Sequence, residues 1–114
     1  MTPNDERRLH HILEQIARIE SYTTDGRSAF DKEPMAQDAV LHCLTVIGEA
    51  AGALADHAYR QVPVLPPRGA RGQRNIIVHE YWRIDPDIIW ATISNDLPLV
   101  KVQIEALLKD TGHR

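Results

Sequence analysis

Eight consecutive residues, Arg74-Asn75-Ile76-Ile77-Val78-His79-Glu80-Tyr81, place a guanidinium, a carboxamide, an imidazole and a phenol close together. A guanidinium can hold a phosphate through two parallel donors, and an imidazole titrating near neutrality can take or give a proton. The string lies inside a basic stretch. Between Arg60 and Arg83 the cations are Arg60, Arg68, Arg71, Arg74 and Arg83, opposed only by Glu80, so the stretch carries +4. With a formal charge of -3 for the whole chain, the remainder carries -7. The overall charge is wrong for a generic nucleic-acid binder, whereas a local arginine cluster suits an anion site. Each residue also has a plain structural reading: Arg74 as an ion-pair partner of Glu80, His79 as a helix-end histidine, Tyr81 as a core aromatic with its hydroxyl at the rim.

Other chemistries find little support. His42 and His57 are 15 residues apart, about 22 Å along one helix, too far for a common ion, and the adjacent His10 and His11 diverge around theirs. No metal site and no cofactor is expected. Gly69 and Gly72 fit neither a phosphate-binding loop nor a dinucleotide fingerprint. Cys43 cannot form an intramolecular disulfide and falls on a core-facing helical stripe, and no nucleophile-elbow pattern is present. The charged opening residues, the lone cysteine and the short aliphatic runs imply a cytoplasmic protein that does not span a membrane.

The elements that must position the string are helices. At 114 residues, 43% of them hydrophobic and 25% charged, the expectation is one all-α domain over 1–114, an up-and-down bundle of about five helices. Thr2 followed by Pro3, Asp5 and Glu6 reads as a cap, a first-turn proline and acids complementing the helix dipole. Leu9, Ile12, Leu13, Ile16 and Ile19 then keep helical spacing up to a stop at Gly26. A second helix should open at Ser28 or Asp31 and run about 40 Å to Tyr59, with Ala36, Val40, Cys43, Leu44, Ile47, Ala50, Ala51 and Leu54 as its apolar stripe. Its Gly48, Ala51, Gly52 and Ala55 would allow close packing in a bundle, and Glu49 reads as structural, beside an arginine or at the surface.

The three prolines of Val62–Pro67 rule out a helix and make that segment a connector. A third helix is expected from Arg68 or Ala70 to Arg83. A fourth should be opened by Asp85-Pro86-Asp87 and carry Ile88, Ile89, Trp90 and Ile93. A restart at Asp96-Leu97-Pro98 should give a fifth with Leu97, Val100, Ile104, Leu107 and Leu108.

The wider pattern has Arg74-Asn75, then Val78-His79, Tyr81 and Ile84-Asp85, with Ile47-Gly48-Glu49-Ala50 before it and Asp96-Leu97-Pro98 after it. It closely resembles the HepT-like HEPN toxins of the MNT–HEPN toxin–antitoxin class, from the second helix to the last. The resemblance implies an HEPN-like helical bundle, a homodimer, a minimal nucleotidyltransferase (MNT) antitoxin as partner, and RNA as substrate. It implies a metal-independent, type VII-like endoribonuclease with Arg74 and His79 as catalytic residues and Tyr81 as the acceptor of adenylylation. Members commonly have an aromatic residue after the proline segment and an apolar residue before the motif arginine; this chain has Pro66-Pro67 and Gln73. A reading from another class is a non-catalytic helical module that binds a nucleotidyltransferase without cutting RNA.

Metal-free RNA cleavage needs a base for the ribose 2′-hydroxyl, a donor to the leaving oxygen, and positive charge against the developing phosphorane. One histidine cannot hold both proton-transfer roles at once. Two copies of the motif across a dimer cleft would supply both and double the +4 stretch. On a straight helix Arg74 and His79, five apart, point about 140° away from one another, whereas Asn75 sits four before His79 and can orient its ring. Arg68, Arg71 and Arg83 are the further candidates for RNA contact. With aromatic residues at only 5%, stacking platforms for single-stranded RNA are scarce.

Overall fold

A computed structural model describes residues 1–65 and 86–112, and among these all regular structure is helical. Helix α1 spans Pro3–Tyr22. The Asp5 N–H donates to Thr2 Oγ1 at 3.1 Å, and Pro3 occupies a first-turn position where its missing donor is harmless. At the other end the Thr23 hydroxyl donates to the Ile19 carbonyl at 2.8 Å and that of Thr24 to the Glu20 carbonyl at 3.1 Å. These hydroxyls satisfy carbonyls released by the ending helix, so α1 stops before the expected Gly26. That glycine, at φ 88°, instead precedes a single turn, α2 (Arg27–Phe30).

The expected long helix is three pieces: α2, then α3 (Pro34–Gly52), then α4 (Asp56–Tyr59). The first interruption comes from Pro34, which cannot donate to a preceding turn; Glu33 caps α3 by accepting the Met35 N–H at 3.3 Å. The second comes from outside the segment. Ala55 is extended (φ -64°, ψ 152°), and its N–H donates not to the preceding helical turn but to Asp5 Oδ1, 50 residues away, at 3.0 Å. Helix α3 is therefore about 28 Å long rather than 40 Å. His42 and His57 consequently sit on different helices, both exposed.

The last part of the chain also departs from expectation. Helix α5 (Pro86–Ala91), a π-helical segment (Thr92–Asp96) and α6 (Leu97–Gly112) follow without a break, since Ala91 and Leu97 both keep helical dihedrals. The Leu97 N–H donates five residues back to the Thr92 carbonyl. A proline inside an α-helix clashes with the carbonyl four residues before it, here Ser94, and the wider π turn lets the chain pass Pro98 without restarting. The expected helix between Arg68 or Ala70 and Arg83 lies outside the described residues.

Helix α1 packs against both α3 and α6. Its start meets the end of α3 through Asp5 and Ala55, and its end meets the beginning of α6 through Glu20 and Lys101, 3.3 Å apart. Both neighbours thus run antiparallel to it, the up-and-down arrangement expected. Leu9, Ile12, Ile16 and Ile19 of α1 interlock with Val40, Cys43, Ile47 and Ala51 of α3 and with Ile89, Leu97, Val100 and Ile104. The apolar stripes read from the spacing are the buried faces, with Leu13, Ala36, Leu44, Ala50, Leu107 and Leu108 partly buried at their margins. Truncating a fully buried Leu9 or Ile12 to alanine should cost about 2–5 kcal/mol. No helix among the described residues is long and apolar enough to cross a membrane.

Asp5 is 1% exposed. Burial pushes its carboxyl upward, but hydrogen bonding from Ala55 and Thr2 and the charge of Arg8, 4.0 Å away, outweigh that, so the group lies below its ordinary value. A carboxylate with a lowered folded-state value contributes stability that is present above the ordinary value near pH 4 and is lost as pH falls through the lowered one. Asp5→Ala should cost about 1–3 kcal/mol in urea denaturation at pH 7. Asp5→Asn, which keeps an acceptor for Ala55, should cost less, and its deficit relative to the parent should shrink between pH 5 and pH 2. Cys43 is buried, which pushes its thiol up against the opposing pull of Arg18. A thiol reagent at pH 8 should label it only as fast as the protein unfolds.

Candidate functional site

All seven residues expected at the site, Arg68, Arg71, Arg74, Asn75, His79, Tyr81 and Arg83, lie outside the described residues, as do Pro66, Pro67 and Gln73. The described structure positions the two ends from which that segment extends. On the upstream side α4 is followed by tight turns in which the Val62 N–H donates to the Tyr59 carbonyl at 3.1 Å and the Leu65 N–H to the Val62 carbonyl at 3.0 Å. Val62 is fully buried and Leu65 is 5% exposed, so the first part of the connector is pinned into the core by its own apolar side chains. Arg60, the first cation of the basic stretch, is exposed at the end of α4.

On the downstream side the chain re-enters the bundle at α5, where two contacts hold it to α2. Arg27 forms an ion pair with Asp87, and Phe30 packs on Trp90 with ring centroids 5.5 Å apart and planes tilted by 42°. Arg27 also reaches Asp31 at 3.3 Å, and the hydrogen bond to Asp87 raises the guanidinium further above its already high value. The pair is exposed and its electrostatic worth is small; the ring contact, with Phe30 only 5% exposed, is the stronger tether. By their place in the sequence Asp5 and Asp87 read as helix-start acids, and nothing local marks Arg27. Their partners are 50 and 60 residues away, and no local signal announces them.

The remaining candidates are placed plainly. Glu49 is on the exposed surface of α3, one of the two settings expected for it. His10, His11, His42 and His57 are all exposed, and the described residues bring no three His, Cys, Asp or Glu side chains around one point. Cys43, being 2% exposed, is a packing residue rather than a nucleophile open to substrate.

Comparison with known proteins bears on the whole arrangement. The family model described as Ribonuclease HepT-like matches residues 12–107, from the middle of α1 into α6. A candidate RNase from Methanocaldococcus jannaschii is 34% identical over 103 residues, covering 90% of this chain and 85% of that protein. A second candidate RNase from the same organism is 31% identical over 98 residues, covering 85% of this chain and 90% of the relative. A protein named "Probable ribonuclease HepT" from Thermococcus cleftensis is 31% identical over 102 residues, covering 89% of this chain and 93% of that protein. No solved structure matches significantly. The matched span takes in the antiparallel helices, the connector and the complete Arg74–Tyr81 string, and on that ground the chain belongs to the HepT-like ribonuclease family.

Proposed function

We propose that this protein is a metal-independent endoribonuclease, the toxin of a type VII-like toxin–antitoxin pair, working as a homodimer. The observation that carries the reading is the family match across residues 12–107, which includes a string able to bind phosphate and move protons. Arg74 binds the scissile phosphate and offsets the charge that develops on its oxygens. His79 of one protomer takes the proton of the ribose 2′-hydroxyl as the 2′-oxygen attacks phosphorus. The phosphorus–O5′ bond breaks, and the second protomer's imidazole, in its protonated form, gives a proton to the departing O5′. The products are a 2′,3′-cyclic phosphate and a free 5′-hydroxyl. Asn75 orients the His79 ring, and Arg68, Arg71 and Arg83 extend the phosphate-binding surface.

Silencing is assigned to Tyr81. A minimal nucleotidyltransferase antitoxin transfers AMP from ATP to the phenolic oxygen, releasing pyrophosphate. The new phosphodiester brings negative charge and bulk beside a site built for phosphate, so repulsion and steric block both exclude RNA.

Purified protein should cut labelled RNA equally well with and without chelator. His79→Ala and Arg74→Ala should each lower the rate by about 100-fold or more with helical content unchanged. Retained cleavage by His79→Ala would refute the mechanism, and an inert parent that still binds the nucleotidyltransferase would leave a non-catalytic interaction module. Incubation with ATP, magnesium and the nucleotidyltransferase should add AMP to the parent but not to Tyr81→Phe, as read by intact mass. Equal addition to both would move the acceptor to another residue, such as Tyr22 or Tyr59.

A further inference from the structure

Helix α1 carries a second group of cations, remote in sequence from the Arg60–Arg83 stretch. Arg7, Arg8, His11 and Arg18 fall within an arc of about 100° around the helix, and Gln15 and Tyr22 fall within the same arc. The acids of α1 lie elsewhere. Glu14 stands just outside one edge of the arc, Glu6 and Glu20 are on the opposite side, and Asp5 is buried. Arg7, His11 and Arg18 are exposed, and among the described residues Arg7 and Arg18 have no ion-pair partner; Arg8 leans toward Asp5 at 4.0 Å. Arg18 is close enough to α3 for its charge to act on Cys43. The acids of α3, Asp38 and Glu49, lie about 120–140° around that helix from Cys43 and so do not face the stripe.

Two side chains in the arc are unexplained by packing. Gln15, in the middle of it, is 3% exposed, and its Oε1 is buried without a hydrogen-bond partner. An unsatisfied buried acceptor costs free energy that an aliphatic side chain in the same place would not. Tyr22, at the far end, is 40% exposed and leaves a ring face open to water. A row of cations, an unspent acceptor and an open aromatic ring are what a protein uses to hold a single strand of nucleic acid, through its phosphates, a base edge and a base face. From Arg7 to Tyr22 the stripe is about 22 Å long, room for about four nucleotides of an extended strand.

We propose that this stripe of α1 is a binding track for single-stranded RNA, separate from the Arg74–Tyr81 string. Arg7 and Arg18 take phosphates, Tyr22 stacks on a base, and the Gln15 carboxamide turns outward to accept a hydrogen bond from a base edge. The track begins at the end of the bundle from which the basic stretch leaves: Asp5 ties the start of α1 to Ala55, and the exposed Arg60 follows at the end of α4. A strand lying on α1 is thereby led toward the cations of that stretch.

The choice of ligand rests on the nuclease reading, and a binding measurement separates failure of the track from failure of cleavage. A labelled 2′-O-methyl RNA of about 12 nucleotides has no 2′-hydroxyl to attack phosphorus, so its fluorescence anisotropy reads binding alone. The double variant Arg7→Gln with Arg18→Gln should bind about 10-fold or more weakly than the parent with unchanged circular dichroism, and its slope of log affinity against log salt should be shallower by about 1 to 1.5. Lys32→Gln with Lys109→Gln, which changes the net charge equally at exposed positions elsewhere, should bind like the parent. Tyr22→Ala should weaken binding by about 5-fold or more, and Tyr22→Phe should restore it. Gln15→Met should unfold at no lower urea concentration yet bind more weakly, a combination that a purely structural glutamine would not give. Equal affinities of the arginine and lysine double variants would overturn the track, as would a parent that does not bind the oligomer. Loss of nucleotidyltransferase association in the arginine variant with RNA affinity intact would make the stripe a protein-docking face and also overturn it. A parent that binds through the stripe but leaves unmodified RNA uncut would refute the nuclease reading alone.

Discussion

The hydrogen bond from the Ala55 N–H to the buried Asp5 carboxylate governs how the middle of the chain leaves the bundle. Gly52, at the end of α3, weakens the helix locally, but the alanines and the leucine after it are good helix formers, and it is the contact to Asp5 that holds Ala55 out of a helical continuation. The carboxylate offers an acceptor stronger than a neutral carbonyl, in a site where water does not compete, and so draws Ala55 into extended geometry. The chain then turns through α4 and buries Val62 and Leu65, and only from that point does it enter the segment that carries the basic string. One side chain near the start of α1 thus sets the exit point of a segment more than 60 residues later.

The return into the bundle is held differently. Where Asp5 acts through one buried polar contact, the start of α5 is fastened by an aromatic contact from α2 and an exposed ion pair. The short helix α2, set off from α3 by Pro34, carries both residues of this tether, Arg27 and Phe30. The two interruptions in the expected long helix thus lie beside the contacts that hold the last described residues before 66 and the first after 85.

The sequence of this HepT-like family member meets two opposite demands in a small chain. Its core needs uninterrupted apolar stripes, while the proposed anion site draws on arginines gathered in one stretch. Apart from the buried Asp5, most acids of α1 and α3 sit on exposed faces, while five of the 13 cations fall between Arg60 and Arg83 against the single acid Glu80. An overall acidic charge and a local +4 are then compatible, since screening in physiological salt confines each charge to its own neighbourhood.

Fold class was legible because helical periodicity is a local property. Leu9, Ile12, Ile16 and Ile19, and likewise Val40, Cys43 and Ile47, announce their buried face through spacing alone. The candidate site is named from sequence for a similar reason, since Arg74, Asn75, His79 and Tyr81 are neighbours in sequence and their chemistry can be stated without their surroundings, which lie outside the described residues. Helix limits were less legible. The extended geometry at Ala55 goes with an acceptor 50 residues away, the helix passes Pro98 through a π turn, and α2 is in contact with α5 through Phe30 and Trp90. Those are choices between competing partners for the same backbone groups, and tertiary packing decided them because only the folded chain brings the competing partners within reach.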